Sequence, residues 1–394
     1  MSRQRQLVLP LLESLDAAGG RARTGELYDA VAEKAEISGE DRTSRRSAGG
    51  RSVNVFEHHV RWAQQQAKAQ GLVRPIGGGD WVITGRGKEI LRKAKPGVMV
   101  TLFMTQDGIA LWGSCEDAMT VVDDESVHLL LTSPPYPLVT PRAYGNEDQA
   151  SWIDWFLRLA EQWIPKLAPG ASMVVNLGSV WIPGTGRRSD YVHRLVPRLA
   201  DALGLHLINE FVWENPAKLA KAHWVARTRI HVRDVTETFL WLSPHDAPAT
   251  RADNRAVLVA YSDAMRRLLD RGGERAAARP SGWQHRDGAF STDNGGAIAT
   301  NLLRVPNTVS NSDHHRACRA AGLPLHPARM PEALAEFFIQ YLTRSEELVC
   351  DPFGGSGTTA AAAERLGRRW IICEIVREYL EGARLRFQER PACC

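Results

Sequence analysis

From residue 109 onward, apolar runs of strand length alternate with amphipathic segments of helix length. The runs at 127–132, 171–178 and 207–213 predict buried strands, because short apolar stretches bounded by turn residues fit a sheet that is covered on both faces. Segments 151–167 and 191–203 repeat their apolar positions at helical spacing. Pro169-Gly170 is expected to end the first of these helices. The alternation predicts an α/β fold with a mostly parallel sheet.

The first hundred residues follow a different pattern. Helical spacing predicts three helices, at 7–12, 24–31 and 53–67. Residues 71–84 then predict a strand, a glycine turn and a second strand. The polar, arginine-rich stretch 38–52 is predicted to be a mobile loop. Three helices followed by a hairpin predict a winged-helix domain, with a linker at 93–97. Its third helix either lies in a DNA major groove or packs against the main domain or another subunit.

Residues 243–325 lose the alternation and become rich in Gly, Arg, Asp and Asn. Loops that carry Arg, His, Gln and Asn side chains are able to contact base edges. Composition alone leaves two interpretations open, a target-recognition segment and an irregular insertion.

Composition narrows the class of protein. No apolar stretch reaches the roughly 20 residues that span a bilayer, and no signal-type apolar core follows the amino terminus, so we expect a soluble, cytoplasmic protein. The six cysteines are scattered without metal spacing, and no metal site is expected. Net charge is only +4, but residues 1–100 carry 17 Lys and Arg against 11 Asp and Glu. Such an excess fits either a polyanion-binding face or a solvated surface.

One candidate catalytic loop is Ser133-Pro134-Pro135-Tyr136, which follows the run 127–132. Two prolines end the strand, because proline has no amide donor, and the strand delivers the loop to its carboxyl edge, where α/β proteins bind ligands. A hydroxyl, proline carbonyls and an aromatic face suit a flat ring that carries an amino group. The alternative is a plain Pro-Pro strand exit with a surface tyrosine.

The loop resembles motif IV of the DNA methyltransferases that act on exocyclic amino groups. In that superfamily Ser-Pro-Pro-Tyr is more typical of cytosine-N4 enzymes, and Asp-Pro-Pro-Tyr of adenine-N6 enzymes. The resemblance implies that Ser133, Pro134, Pro135 and Tyr136 form the catalytic loop.

A second candidate site is a glycine-rich loop after the run 348–351. It lacks the Lys of a P-loop and the glycine spacing of a dinucleotide site. It resembles motif I of S-adenosyl-methionine-binding methyltransferases, which implies cofactor contacts at Asp351, Pro352, Phe353, Gly354, Gly355, Ser356, Gly357 and Thr358. The resemblance places the ribose at Glu374, the methionine side at His326, Pro327 and Ala328, and an adenine-side loop at Ser114. Because Ser114 stands where aspartate is common, Glu116 and Asp117 are possible substitutes.

Seven basic side chains are candidate DNA contacts, while a solvated charge run is the alternative. They are Arg142, Lys218, Arg227, Arg229, Arg279, His285 and Arg286.

Motif IV precedes motif I by about 220 positions, which resembles the permuted order of the β-class amino methyltransferases, PvuII-type cytosine-N4 enzymes in particular. The first domain resembles that of Mrr-like restriction proteins. The implied organisation is a winged-helix domain (1–97), a catalytic half (98–242), a target-recognition region (243–325) and a cofactor-binding half (326–394) of a Rossmann-like methyltransferase domain.

The resemblance implies transfer of a methyl group from S-adenosyl-L-methionine to the N4 of a flipped cytosine in double-stranded DNA, in a restriction-modification system with a cognate endonuclease. No Pro-Cys dipeptide is present, which argues against a cytosine-C5 enzyme. Adenine-N6 methylation, RNA methylation and a catalytically silent DNA-binding protein remain as alternatives.

Overall fold

The computed structural model describes residues 7–35, 37–48, 51–91, 97–137, 147–218, 223–244, 251–276, 280, 282–283, 285–308 and 312–387. Apart from Gly97, the predicted linker lies outside these residues. No helix within them is long and apolar enough to cross a membrane. The four cysteines they include are buried and unbridged.

The amino-terminal part contains the predicted helices and hairpin, with further short elements between them. Its elements are α1 (Val8–Ala17), β1 (Arg21–Arg23), α2 (Thr24–Lys34), α3 (Gly39–Thr43), β2 (Arg45–Ala48), β3 (Arg51–Asn54), α4 (Val55–Ala69), β4 (Val73–Gly77), β5 (Asp80–Ile83) and α5 (Gly85–Ile90). Strands β1, β5 and β4 form an antiparallel sheet in that order. Leu11 and Leu15 of α1 and Val60 of α4 are fully buried in the core that these elements share.

The prediction of a mobile loop at 38–52 is wrong. The segment forms α3 and the antiparallel hairpin β2–β3. Polar side chains in and directly after this segment accept hydrogen bonds from the free amides at the amino ends of two helices. Ser38 accepts from the Asp41 amide of α3, and Asn54 accepts from the Glu57 amide of α4. Polar composition therefore marks caps here, and not a lack of regular structure.

The remainder builds one large sheet with helices on both faces. Its elements are β6 (Val100–Met104), β7 (Gly108–Trp112), α6 (Cys115–Met119), β8 (Val127–Thr132), α7 (Trp152–Trp163), β9 (Leu167–Gly178), α8 (Tyr191–Leu203), β10 (His206–Glu214), β11 (Thr236–Ser243), α9 (Asp263–Asp270), β12 (Leu302–Arg304), α10 (Ser312–Ala320), α11 (Glu332–Leu342), β13 (Leu348–Asp351), α12 (Thr358–Arg365), β14 (Arg369–Glu374) and α13 (Arg377–Arg384).

Within the described residues the sheet has nine strands in the order β12-β10-β11-β9-β8-β13-β14-β7-β6. Five neighbouring pairs are parallel and three, β10–β11, β11–β9 and β6–β7, are antiparallel. The sheet is therefore mixed, with the predicted parallel part at its centre. Strand β12 comes from the irregular region 243–325 and pairs with β10, so that region contributes to the sheet.

Alternate residues of the central strands face opposite helix layers, as the two-residue period of a strand requires. Leu129 and Leu131 belong to the core with α11 and α12, whereas Leu130 belongs to the core with α7 and α8. All three side chains are fully buried. Both faces of β8 are covered, which explains why its sequence is a continuous apolar run.

Pro169-Gly170 does not end a helix. Helix α7 ends at Trp163, a short 3-10 turn follows, and β9 has begun at Leu167. Gly170 has a φ of +72° at an irregularity in the pairing of β8 with β9. A glycine that tolerates this conformation marks a bulge inside the strand, so the breaker pair was assigned to the wrong element.

Candidate active site

A cavity of about 750 Å³ opens at the carboxyl edge of the central strands. Strands β7, β8, β9, β13 and β14 end at this edge, and β11 begins there because it runs antiparallel to β9. The cavity lining includes most of the predicted catalytic and cofactor residues, namely Ser114, Ser133, Pro134, Pro135, Tyr136, His326, Pro327, Ala328, Asp351, Pro352, Phe353, Gly354, Gly355, Ser356, Thr358 and Glu374. The two candidate loops therefore share one cavity.

The serine-proline loop is anchored from below by helix α7. The indole Nε1 of Trp152, which is fully buried, donates a hydrogen bond of 2.7 Å to the carbonyl oxygen of Pro135. Because the prolines also restrict the backbone, the loop is held at the end of β8.

Ser133 and Tyr136 meet two polar side chains from neighbouring strands. The Ser133 Oγ lies 3.1 Å from the Tyr136 Oη, and both hydroxyls are within reach of the Asn176 Oδ1, at 3.3 and 2.5 Å. The Tyr136 Oη also lies 3.2 Å from the Glu237 Oε2. Burial is the main cause that raises the pKa of both Tyr136 and Glu237. We call these four residues the base-side network.

Gly178 allows the Tyr136 ring to lie against strand β9. A Cβ at Gly178 would come within 2.4 Å of the Tyr136 Cε2, closer than real atoms approach. The Gly178 carbonyl in turn accepts a 2.6 Å hydrogen bond from the buried Tyr191 hydroxyl. The strand is therefore held where it supports the ring.

The glycine loop is built around Asp351, a buried carboxylate at the end of β13. Its oxygens accept hydrogen bonds from the Thr132 hydroxyl at 2.7 Å, the Thr359 hydroxyl at 2.7 Å and the Phe353 amide at 3.1 Å. Burial raises its pKa to about 6 in spite of these donors. Because its oxygens are occupied by the protein, we assign Asp351 to positioning the loop.

Two glycines of this loop have a positive φ and little room for a side chain. Gly355 has a φ of +50°, and a Cβ there would lie 3.1 Å from the His326 Nε2. Gly357 has a φ of +71°, does not line the cavity, and forms the amino end of α12, where a Cβ would meet Ala383 at 2.7 Å. Arg386, from beyond α13, donates a 2.7 Å hydrogen bond to the Ser356 carbonyl. At Gly355 the loop backbone therefore lines the cavity without a side chain.

Glu374 ends strand β14 beside this loop. One carboxylate oxygen accepts from the Gly355 amide at 3.0 Å and the other from the Val376 amide at 2.9 Å. Burial raises its pKa to about 7, and the nearby Asp351 charge adds to the shift. The Ile375 amide also donates to this carboxylate, which with about four acceptor positions still has room for a hydroxyl proton from a ligand.

Ser114 caps helix α6 at the far end of the cavity. Its Oγ accepts from the Asp117 amide at 3.1 Å and donates to the Asp117 carboxylate at 2.8 Å. Asp117 also accepts from the Gly97 amide and does not line the cavity, whereas Glu116 does. Of the two suggested substitutes for an adenine-side carboxylate, only Glu116 is in place.

His326 and Arg329 also line the cavity, and His326 lies against Gly355 of the glycine loop. The His326 Nδ1 is hydrogen-bonded to the Ala328 carbonyl, its ring packs edge-on against Tyr379, and burial lowers its pKa to about 4. The half-buried Arg329 lines the cavity, and its buried Nη1 has no hydrogen-bond partner in the described part of the chain. A guanidinium with one unsatisfied N–H group at a cavity wall is suited to an anionic ligand group.

The predicted DNA contacts are dispersed. Lys218 lies inside the cavity, where its Nζ donates to the Thr236 carbonyl at 3.0 Å and lies 3.5 Å from Glu237 and 3.9 Å from Asp234. Its side chain is thus paired within the protein, and the expected phosphate contact is not the role that this placement favours. Arg227, Arg229 and Arg286 are exposed and His285 is half-buried outside the cavity, while Arg142 and Arg279 lie outside the described residues.

Sequence reasoning did not single out five side chains that build the site: Asn176, Glu237, Trp155, Arg329 and Arg386. Asn176 stands inside the predicted strand 171–178, and Trp155 inside the predicted helix 151–167. Position at the carboxyl end of a parallel strand, or at the start of its antiparallel neighbour, is the signal that would have found Asn176 and Glu237.

Comparison with known proteins gives matches over both parts of the chain. A family model described as DNA methylase matches residues 127–385, and one described as Mrr N-terminal domain matches residues 5–93. Type II methyltransferase M.PvuII of Proteus hauseri is 39% identical over 72% of this chain and 85% of its own length. M.ScaI of Streptomyces caespitosus is 26% identical over 76% of this chain and 88% of its own.

A solved structure, PvuII DNA methyltransferase (cytosine-N4-specific), aligns with a TM-score of 0.60 at 33% identity. The alignment covers 74% of this chain and 90% of that one. The relatives and the solved structure thus match most of the chain, and the amino-terminal domain has a separate match.

Proposed function

This chain belongs to the N6/N4 DNA methylase family, and from that premise we propose that it methylates the N4 amino group of cytosine in double-stranded DNA, with S-adenosyl-L-methionine as donor. The observation that carries the proposal is the single cavity in which Ser133 and Tyr136 face the glycine loop and Glu374. A methyl donor on one wall and a base on the other would meet within it.

The residues present fit the donor. Gly355 leaves a close approach that a Cβ would fill, Glu374 has an acceptor position for a ribose hydroxyl, and Arg329 has an unpartnered N–H for a carboxylate. S-adenosyl-methionine, when bound, supplies a sulfonium methyl group that a nitrogen lone pair attacks. The backbone of the loop, with Phe353 and His326 at its sides, would hold the donor without forming any covalent bond.

Ser133 and the Pro134 carbonyl would act on the amino group. The lone pair of an exocyclic amino group is delocalised into the ring, so it becomes nucleophilic only as the nitrogen turns pyramidal and gains positive charge. Acceptors that hold the two amino hydrogens bind more strongly as that charge develops, and this is selective stabilisation of the transition state. Positioning of the nitrogen in line with the methyl group supplies the remaining reduction of the activation barrier.

Tyr136 would hold the base after it leaves the duplex. A base inside the stack cannot reach a loop at the bottom of a cavity, so the target nucleotide must be flipped out. Stacking on the Tyr136 ring, which Gly178 supports from behind, would offset part of the lost base stacking.

The choice of cytosine over adenine rests on two supports. Position 133 is a serine, and the solved structure that is 33% identical is described as cytosine-N4-specific. Adenine-N6 methylation remains the alternative, because both bases present an amino group beside a ring nitrogen.

The relatives at 39% and 26% identity are named Type II methyltransferases, which supports a role in a bacterial restriction-modification system with a cognate endonuclease. We accordingly place the protein with the nucleoid in the cytoplasm. The winged-helix domain, the exposed Arg227, Arg229 and Arg286, and His285 are proposed to contact the duplex outside the cavity.

The test is to incubate the protein with labelled S-adenosyl-methionine and duplex DNA of mixed sequence, digest the DNA and identify the methylated nucleoside by mass spectrometry. We expect N4-methylcytosine. N6-methyladenine would overturn the base assignment, and absence of product on this DNA and in a parallel incubation with RNA would favour the silent DNA-binding alternative. Ser133→Ala should lower the transfer rate by about 10²–10³. Ser126→Ala, before the amino end of the same strand, serves as the matched control and should keep the wild-type rate.

A further inference from the structure

Glu237 is a carboxylate in the wall of the cavity, away from the glycine loop. It stands near the start of β11, its side chain is 17% exposed, and its Oε2 lies 3.2 Å from the Tyr136 Oη. A buried carboxylate is costly unless it is paired or used. Here it has a cation, Lys218, on one oxygen and a hydroxyl on the other.

A continuous line of hydrogen-bonding groups runs from the catalytic serine to Glu237. The Ser133 Oγ and the Tyr136 Oη are 3.1 Å apart, and the Tyr136 Oη and the Glu237 Oε2 are 3.2 Å apart. A hydroxyl can accept one proton while it donates another, so two hydroxyls in series are able to pass a proton to a carboxylate when their own protons point along the line.

Methyl transfer to an amino group leaves a proton to remove. On the basis of the proposed function, we propose that Glu237 is the terminal acceptor of that proton, which reaches it through Ser133 and Tyr136. An N–H bond of the methylated amino group breaks as an O–H bond forms on Ser133. The Ser133 proton passes to Tyr136, and the Tyr136 proton passes to Glu237. The positive charge on the nitrogen and the negative charge on Glu237 are both cancelled, and the two hydroxyls are regenerated.

Asn176 is the group that competes for the same protons. Its Oδ1 accepts from both hydroxyls, but a neutral amide cannot take up a proton at ordinary pH. Its Nδ2 is buried and has no partner among the described residues. A half-turn of the amide would direct Nδ2 at both hydroxyl oxygens and leave the Tyr136 proton free for Glu237. We therefore assign Asn176 to positioning the relay.

The charges around Glu237 decide when it can accept. Burial is the largest influence and raises its pKa, the Lys218 ammonium lowers it, and the Asp234 carboxylate raises it further. Tyr136 and Tyr191 face it as neutral phenols whose pKa values are raised. Arg188 pairs with Asp234 at 2.6 Å on the outer side. A raised pKa makes Glu237 a stronger base than an exposed carboxylate, and the relay should fail when it is protonated at low pH.

The relay is tested by single-turnover methyl transfer as a function of pH, on wild type, Glu237→Gln, Tyr136→Phe and the double variant. Both substitutions preserve shape, and phenylalanine keeps the stacking face. Each single variant should lower the rate by about 100-fold and remove the decline of rate at low pH. Because they interrupt the same line, the double variant should be little slower than either single one. Glu210→Gln, on the exposed part of β10, is the matched control and should behave as wild type.

Two further measurements separate proton transfer from positioning. In the absence of the cofactor, Glu237→Gln should bind DNA with the affinity of the wild type. The fluorescence of 2-aminopurine at the target position should also be unchanged in this variant. A loss of either in proportion to the rate would overturn the relay in favour of a structural role. So would a wild-type rate and pH profile in Glu237→Gln.

A second carboxylate offers a rescue. Asn176→Asp in the Glu237→Gln background places an acceptor beside the same hydroxyls and should restore at least tenfold of the lost rate. Failure of the rescue, with normal folding, would also count against the relay. If the wild-type protein transfers no methyl group at all, the proposed function fails, and this result is distinct from failure of Glu237→Gln to show an effect.

Discussion

The two walls of the cavity are built from different materials. On the cofactor wall, backbone amides of Gly355, Val376 and Phe353 hold the carboxylates Glu374 and Asp351. On the base wall, the contacts are between the side chains of the base-side network, Ser133, Tyr136, Asn176 and Glu237. Backbone amides, together with the Thr132 and Thr359 hydroxyls on Asp351, fix the first wall, and side chains from three different strands or strand ends fix the second.

This difference suggests that one wall serves mainly to bind the cofactor and the other mainly to carry out the reaction. Backbone donors have no alternative protonation state, so the donors of the cofactor wall stay constant and depend mainly on glycine conformation, while the Glu374 carboxylate is the group on this wall whose charge changes near neutral pH. Hydroxyls and carboxylates can exchange protons, so the base wall can change its charge during a reaction. Substitutions should therefore act on affinity when they alter the first wall, and on rate and its pH dependence when they alter the second.

The largest effect is expected on the cofactor wall. Gly355→Val places a branched side chain at a φ of +50° and against His326, so binding of S-adenosyl-homocysteine should weaken by at least about 100-fold, measured by calorimetry. Gly184→Val is the matched control, because Gly184 has a φ of +70° and open space around it. Equal loss of binding in both variants would show that strain alone, and not the closed approach to the ligand, explains the effect.

A second prediction for the cofactor wall concerns Arg329, at the end that is proposed to bind the methionine part of the cofactor. Arg329→Met removes a charge-assisted hydrogen bond of about 1.5–3 kcal/mol, so the affinity for S-adenosyl-homocysteine should fall by roughly 10–100-fold. Methylthioadenosine lacks the amino-acid carboxylate, and its affinity should not change. A parallel loss for both ligands would contradict the assignment of Arg329 to the carboxylate. The exposed Arg319→Met serves as control.

The contrast also explains what could be predicted from sequence. Backbone contacts come from residues that are close together in the sequence, so the glycine loop and Glu374 could be recognised as motifs. The DNA methylase family match confirms the family that these motifs indicated. Helix 191–203 was predicted within its observed bounds, because its apolar period is regular and Gly204 follows it in the left-handed conformation. These features depend on local patterns only.

The wall made of side chains could be predicted only in part, because Ser133 and Tyr136 belong to one short motif, whereas Asn176 and Glu237 lie far from it in the sequence. Asn176 and Glu237 are separated by 61 positions and meet only because β9 and β11 are neighbours. Lys218 illustrates the same limit, since a run of basic residues does not reveal which one turns inward to pair with Glu237 and Asp234. The polar stretch 38–52 likewise forms a capped helix and part of a hairpin, although composition alone suggested a loop.

Substitution of Lys218 is expected to have a smaller effect on the transfer rate, through the base wall. In Lys218→Met the cation that lowers the pKa of Glu237 is lost, so that pKa should rise, and the decline of transfer rate at low pH should begin at higher pH. The rate at alkaline pH should be within about threefold of wild type, because deprotonated Glu237 is still available there.

The same variant distinguishes an internal ion pair from a phosphate contact. The dependence of DNA affinity on salt should be unchanged in Lys218→Met, whereas Arg227→Ala, which is exposed, should reduce the slope by about one. A reduced slope in Lys218→Met, with an unaltered pH profile, would return this residue to the DNA-contact role.

The smallest effect concerns the charge state of Glu374. Its pKa is about 7 in the folded protein, above the ordinary value for a glutamate, so the native state keeps a proton that the unfolded chain loses. Its contribution to stability is therefore present at acid pH and is lost as pH rises to about 7. Ribose hydroxyls that donate to the carboxylate favour its ionised form, so binding should release part of a proton near pH 6.5.

Methylthioadenosine is the suitable ligand for this measurement, because it has no amino-acid group that titrates. Its affinity should rise by about two- to threefold between pH 6 and pH 8, and calorimetry in buffers of different ionisation enthalpy should detect the released proton. Asp351, with a pKa of about 6, already has its oxygens occupied by the protein and should contribute little to this release. An affinity that is independent of pH would mean that the ribose does not meet Glu374, and the cofactor wall would then hold its ligand through backbone and Arg329 alone.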